Sequence, residues 1–145
     1  MKVVINDGGR KAAGFKGHAD DCVARAIATV TGKPYAEVYA RLARETGEQR
    51  ASKRTKKRSA SARNGVNVKR KWFDVYMAEL GLVWTPTMQI GQGCKVHLRA
   101  DELPPGRLVV SVSKHYTAVV DGVVHDTHNP TRGGTRCVYG YWRMT

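Results

Sequence analysis

Three side chains, Cys22, His115 and Asp126, have the types and the chain order of a catalytic set for acyl transfer. Cys22 directly follows Asp20 and Asp21, which supply N-cap chemistry, and it begins a predicted helix. A thiol at that position faces the positive end of the helix dipole and free backbone N–H groups, an environment typical of cysteine nucleophiles. The two carboxylates oppose this effect, so we expect a cation nearby. The alternative is a small buried residue at the start of a core helix.

The register of a predicted β-hairpin brings His115 and Asp126 together. Asp121-Gly122 between two runs of β-branched residues predicts a two-residue turn. That turn pairs Thr117 with Asp126, and the two-residue period of a strand puts His115 diagonally across from Asp126 on the same face. The alternative interpretation of these residues is the polar outer face of an edge hairpin.

This set predicts a mechanism of covalent acyl transfer. Cys22 would attack a carbonyl carbon, His115 would act as acid and base, and Asp126 would fix the tautomer of the imidazole. The backbone N–H of Cys22, at the helix N-terminus, is a natural donor to the oxyanion.

Helices followed by strands must position these residues. The apolar periodicity predicts helices at about Cys22 to Thr31, Pro34 to Gly47 and Val68 to Leu80. Strands are predicted at Lys2 to Ile5, Leu82 to Met88, Arg107 to Val112, His115 to Val120 and Cys137 to Arg143, with a turn at Thr131 to Gly134. This order predicts an α+β fold, with N-terminal helices packed on a C-terminal antiparallel sheet. We expect one domain over residues 1–145, with a basic flexible insert at about 49–67.

Two segments carry a family resemblance. Asp-Asp-Cys-Val-Ala-Arg-Ala-Ile-Ala begins at Asp20, and Val-Val-Ser-Val-Ser-Lys-His-Tyr-Thr-Ala-Val-Val-Asp-Gly-Val-Val-His-Asp-Thr-His-Asn-Pro begins at Val109. Together they resemble the papain-like cysteine peptidase superfamily, in the small bacterial and phage branch around the bacteriocin-processing C39 peptidases. The whole chain is also similar to small bacteriophage proteins. The resemblance implies a papain-like fold with Cys22 as nucleophile, His115 as base and Asp126 as orienter, with Asn129 as the alternative third member.

The chain departs from the superfamily at the oxyanion hole. The superfamily usually has a Gln several residues before the Cys, and no Gln precedes Cys22 here. Asn6, Lys16 or His18 are the candidate substitutes, and the sequence does not choose among them.

Two other pairs of residues have the types that bind zinc. Cys94-x-x-His97 and His125-x-x-His128 lack finger-like spacing, and a strand would point His125 and His128 to opposite faces. We therefore assign no metal site. No Gly-rich phosphate loop of the Walker type occurs, and we expect no cofactor.

The net charge of +13 is concentrated in one segment. Ten Lys and Arg residues and no acidic residue lie between Gln49 and Lys71, which leaves a near-neutral remainder. Either this is a solvated surface loop, or it binds nucleic acid or another acidic partner. The residues of the insert that would contact phosphate are Arg50, Lys53, Arg54, Lys56, Lys57, Arg58 and Arg63.

Composition bounds the remaining possibilities. With 41% apolar residues among 145, the chain can bury a core, and no apolar stretch approaches the ~18 to 20 residues of a membrane span. The chain begins with only a short apolar run, so we expect a protein kept in the cytoplasm, with its three cysteines reduced. The sequence thus favours a thiol hydrolase of an amide, peptide or isopeptide bond that acts on a protein or peptide. The alternative is a non-catalytic phage protein that binds nucleic acid or a host partner through the insert.

Overall fold

The computed structural model describes residues 1–15, 21–48 and 66–145, and within these ranges the chain is α+β, as predicted. The helices are α1 (Cys22–Thr31), α2 (Tyr35–Glu48) and α3 (Lys71–Glu79). The strands are β1 (Val3–Ile5), β2 (Leu82–Pro86), β3 (Arg107–Val112), β4 (His115–Val120), β5 (Val123–Asp126) and β6 (Val138–Met144), with one 3-10 turn at Arg132–Gly134. Most of the insert predicted at 49–67 lies outside the described residues.

The strands form one sheet in the order β1-β5-β4-β3-β6-β2. Neighbouring strands are antiparallel except for β1, which pairs in parallel with β5. The prediction of a purely antiparallel C-terminal sheet is therefore wrong at this edge. A three-residue strand contains no signal for its partner, because parallel pairing depends on contacts far apart in the sequence.

The two faces of the sheet are covered by different parts of the chain. The helices pack on one face around Ile27, Val38 and Phe73, all of which are fully buried. The opposite face carries a second core, in which Leu98 and Leu103 pack on strand residues that include Val119 and Val124. The hairpin face that holds His115 and Asp126 is therefore continuous with a buried core. The polar outer face considered as the alternative is not what the structure shows.

Helix α1 begins and ends at the predicted residues, and its C-terminus is held in two ways. Gly32 adopts the left-handed conformation with φ 74°, and its N–H donates to the carbonyl of Ala28. The Arg107 guanidinium, at the start of β3, donates to the carbonyls of Val30 and Thr29 at 2.6 and 2.9 Å. The helix is thereby tied to the sheet at the end away from Cys22.

Two of the three cysteines form a disulfide, which corrects the expectation of reduced thiols. Cys94 and Cys137 are bonded, with their Cα atoms 5.8 Å apart and a sequence separation of 43. The bond ties the segment before Leu98 to the start of β6, next to a backbone bridge between His97 and Cys137. So wide a spacing gives no pairing signal in the sequence. Cys22 is the free thiol.

No helix within the described ranges is long and apolar enough to span a membrane.

Candidate active site

Cys22 is the first residue of α1 and is half-buried. At this position its backbone N–H has no acceptor within the helix, because the helical ladder begins with the N–H of Arg25 donating to the carbonyl of Asp21. The side chain of Asp21, which was expected to cap the helix, makes no capping hydrogen bond. That part of the prediction is wrong, because this carboxylate has other partners.

The carboxylate of Asp21 lies at the centre of a buried polar cluster behind Cys22. Arg10 Nη1 donates to Oδ2 at 3.1 Å, Arg25 Nη1 donates to Oδ1, and the hydroxyl of Tyr35 donates to Oδ2. The Asp21 side chain is fully shielded from solvent. Burial raises the pKa of Tyr35, and the hydrogen bond to Asp21 raises it further. The phenol therefore stays protonated and donates its hydrogen bond to Asp21. Arg10 and Arg25 are cations near Cys22 of the kind that the sequence led us to expect, and both are paired with Asp21.

The hairpin places His115 on Asp126 as predicted. Its turn at Asp121 and Gly122 has positive φ at both residues, 47° and 79°, and the strands pair Val120 with Val123. His115 Nε2 lies 2.7 Å from Asp126 Oδ2. The predicted hydrogen bond between the two side chains is present.

Asp126 is buried and held by several further donors. The Thr117 hydroxyl donates to Oδ2 at 2.7 Å, and the backbone N–H of Thr127 donates to Oδ1 at 2.7 Å. Arg25 Nη2 lies 3.9 Å from Oδ1, so this one guanidinium links Asp126 to the buried carboxylate beside Cys22. Burial raises the pKa of Asp126, but the hydrogen bonds from His115 and Thr117 lower it more, and the net shift is downward. The carboxylate is therefore charged at neutral pH.

The thiol of Cys22 lies close enough to the His115 ring to act on the pKa of the imidazole, and the two side chains line the same cavity. Because Nε2 is occupied by Asp126, Nδ1 is the ring nitrogen left for the sulfur. Burial lowers the pKa of His115, but the hydrogen bond to Asp126 and the nearby side chain of Cys22 raise it more, and the pKa reaches about 9. The ring is therefore protonated at neutral pH and lies between a thiol and a carboxylate.

An open cavity of about 740 Å³ lies over these side chains. Cys22 and His115 line it together with Lys69, Lys114 and His128. A volume of this size accommodates a segment of peptide or a small molecule. Ammonium groups on its walls favour a substrate that carries acceptor or acidic groups.

The other predicted site residues are not brought to this cavity or lie outside the described ranges. Asn6 Nδ2 is 3.3 Å from His125 Nδ1, and its Oδ1 accepts from a nearby backbone N–H. Asn129 Oδ1 accepts two hydrogen bonds from Thr131, so Asn129 does not orient His115. The residues outside the described ranges are Lys16, His18, Arg50, Lys53, Arg54, Lys56, Lys57, Arg58 and Arg63.

Three side chains around Asp126 were not assigned to the site from the sequence. Thr117 could have been found, because the predicted register already placed it opposite Asp126. Arg25 is four residues after Asp21 on a helix, a spacing that favours an ion pair, but its approach to Asp126 depends on how α1 packs. His128, which the two-residue strand period places on the face of His115 and Asp126, lies with its ring centre 5.1 Å from that of His115, just beyond the end of β5.

Among the described residues, His115, Asp126 and His128 form the one group that could hold a metal ion, with ligand atoms within 4.8 Å of one another. A metal there would have to displace the proton between His115 and Asp126. The zinc alternative weighed from the sequence does not form, because Cys94 is in the disulfide and His97 Nδ1 is 3.2 Å from a Glu102 oxygen.

Comparison with known proteins assigns no family to the chain. No protein-family model, no curated protein and no solved structure matches it.

Proposed function

We propose that this chain is a cysteine-dependent hydrolase of an amide, peptide or isopeptide bond, with a papain-like arrangement of a helix-borne nucleophile and a strand-borne base. One observation carries the proposal. The His115 ring is hydrogen-bonded to the Asp126 carboxylate and lies beside the Cys22 thiol at the wall of an open cavity. A thiol next to a base, with the base held by a hydrogen bond to a carboxylate, is the arrangement that thiol-dependent acyl transfer requires.

The first step forms a thioester. Cys22 Sγ, with its proton held on His115, attacks the carbonyl carbon of the substrate, and the carbonyl oxygen takes the negative charge. The ring then gives its proton to the nitrogen of the scissile bond, which leaves as an amine. Water attacks the thioester with His115 as the base, and the carboxylate product leaves while the thiol is restored.

Asp126 acts on this sequence through His115. Its hydrogen bond at Nε2 directs the other ring nitrogen toward the sulfur and stabilises the imidazolium. Thr117 and the backbone of Thr127 hold the carboxylate itself, so the orientation of the ring is fixed from two sides.

The backbone N–H of Cys22 is the oxyanion donor in this proposal. It is unpaired within the helix and belongs to the residue whose sulfur attacks, so it lies beside the carbonyl under attack. Lys16 and His18 remain candidates for a second donor.

Cleavage of a defined peptide mixture tests the proposal. A tryptic digest of one purified protein is incubated with the wild-type chain and with Cys22→Ala, and new peptide termini are identified by mass spectrometry. We expect new termini with the wild type only. Equal cleavage by both proteins would show that the activity does not belong to Cys22.

The basic segment supports a second candidate function, the binding of nucleic acid. Ten Lys and Arg residues and no acidic residue lie between Gln49 and Lys71. Because binding to a phosphate backbone releases counterions, the affinity would depend steeply on salt concentration. Deletion of residues 49–67 should then abolish retention of DNA or RNA at low salt. If Cys22→Ala keeps the full biological effect and the deletion abolishes it, the binding function is favoured over the enzyme.

A further inference from the structure

A second cavity of about 570 Å³ adjoins the one at Cys22. The two cavities share the lining residues Val68, Lys69, Ser111 and Tyr116. The two cavities are therefore neighbours on the helix-covered face of the sheet, the first at the candidate nucleophile and the second at β2 and β6.

Two small residues on the sheet, Ser111 and Gly140, make room for the second cavity beside Tyr116. Tyr116, Ser111 and Gly140 lie side by side on β4, β3 and β6. A Cβ atom at Gly140 would overlap the ring of Trp84 and lie 3.0 Å from the carbonyl oxygen of Thr85. The absence of a side chain at Gly140 thus allows the indole of Trp84 to lie across β6, along the wall of the cavity.

Four of the eight residues that line this second cavity are aromatic, and Asp74 and Lys69 are its charged residues. Trp84 and Trp142 contact each other with ring centres 5.3 Å apart, and Tyr116 lies at the junction with the first cavity. Trp142 is buried against Phe73, with ring centres 6.0 Å apart, whereas Trp84 is 39% exposed. One fixed ring and one accessible ring form a rigid, open aromatic surface.

We infer that this aromatic pocket is a substrate subsite that takes an aromatic side chain of the peptide bound at Cys22. The inference rests on the proposed function. Aromatic rings pack edge-to-face or offset against one another, and the tilted pair of Trp84 and Trp142 offers both a ring face and a ring edge. Lys69, at the junction of the two cavities, lies where it can donate to a carbonyl of the peptide main chain.

The test compares two electrophiles that differ only in one side chain. The chloroacetyl amides of phenylalaninamide and alaninamide each alkylate a cysteine, because the sulfur displaces chloride, forms a thioether and loses its proton to the medium. Alkylation of Cys22 is followed by intact mass under non-reducing conditions. We expect the phenylalanine reagent to react about tenfold faster than the alanine reagent at low concentration, because its ring is buried in the pocket.

Variants on β2 separate the pocket from general reactivity. Trp84→Ala should remove the preference, whereas Val83→Ala, at the exposed neighbouring position on the same strand, should keep it. Gly140→Ala should also reduce the preference by displacing the indole. As a reading independent of alkylation, the indole N–H signals of Trp84 and Trp142 should shift with N-acetylphenylalaninamide and not with N-acetylalaninamide.

Equal alkylation rates for the two reagents, or a preference that survives Trp84→Ala, would overturn the subsite while leaving the reactive thiol intact. Failure of both reagents to label Cys22 would instead contradict the proposed function. In that case the indole N–H signals of Trp84 and Trp142 test the pocket independently. If N-acetylphenylalaninamide leaves these signals unchanged, the subsite is overturned as well.

Discussion

The raised pKa of His115 couples the stability of the fold to pH. The pKa of an imidazole is about 6.5 in an unfolded chain, whereas in the folded protein the pKa of His115 is about 9. The folded state therefore binds the proton more tightly than the unfolded state. The resulting stabilisation is fully present below pH 6.5 and is lost as the pH rises through about 9.

The size of this effect follows from the two pKa values. Each unit of pKa difference corresponds to about 1.4 kcal/mol, so the shift amounts to about 3 kcal/mol of unfolding free energy. The His115 side chain is 12% exposed and Asp126 is 3% exposed, so solvent screens the pair only weakly. Such a change is a large fraction of the stability of a typical domain.

Urea unfolding at a series of pH values, without reductant, measures the effect. Between pH 6.5 and 9.5 the free energy of unfolding of the wild type should fall by about 3 kcal/mol more than that of His115→Gln, because the variant has no imidazole to titrate at this position. Asn129→Ala is the matched control, since it lies on the same segment without touching His115, and it should follow the wild type. Parallel pH profiles for the wild type and His115→Gln would refute the reasoning.

Three further predictions follow from the described contacts and from the sequence. Asp126→Asn should lower turnover about a hundredfold, because the variant no longer holds the imidazole of His115 in the correct tautomer. Asn129→Ala should leave turnover near that of the wild type. If a steady-state assay gives the reverse ranking, the orienting role belongs to Asn129 and not to Asp126. Asp21→Asn should lower the free energy of unfolding by about 3 kcal/mol, because it removes the charge that compensates two buried guanidinium groups. Urea unfolding measures this change. A decrease of less than about 1 kcal/mol would contradict a tightly packed polar cluster around Asp21. Deleting residues 49–67 should leave thermal unfolding cooperative, because this segment offers almost no apolar side chains to bury; a broad, non-cooperative transition would show that the segment is part of the core.

The parts of the site that were predictable from the sequence are those fixed by local structure. Asp121 and Gly122 determine the register of the hairpin, and the register alone places His115 on Asp126. In the same way, the apolar period and Gly32 define α1 and so place Cys22 at its first residue.

The parts that were not predictable depend on contacts between distant segments. Asp21 was expected to cap α1, but packing brings Arg10 and Tyr35 to its carboxylate and leaves the cap unmade. The pairing of Cys94 with Cys137 likewise arises only when the segment before Leu98 folds against β6. The pattern of residues along the chain specifies each element, and the packing of the elements specifies these contacts.

The rate at which iodoacetamide alkylates Cys22 at pH 6.5 tests the central claim most directly. Under non-reducing conditions Cys94 and Cys137 are bonded to each other, so intact mass reports on Cys22 alone. If His115 holds the proton of the thiol, the wild type should react at least about tenfold faster than both His115→Gln and free glutathione. Equal rates for the three would contradict a catalytic pair of Cys22 and His115.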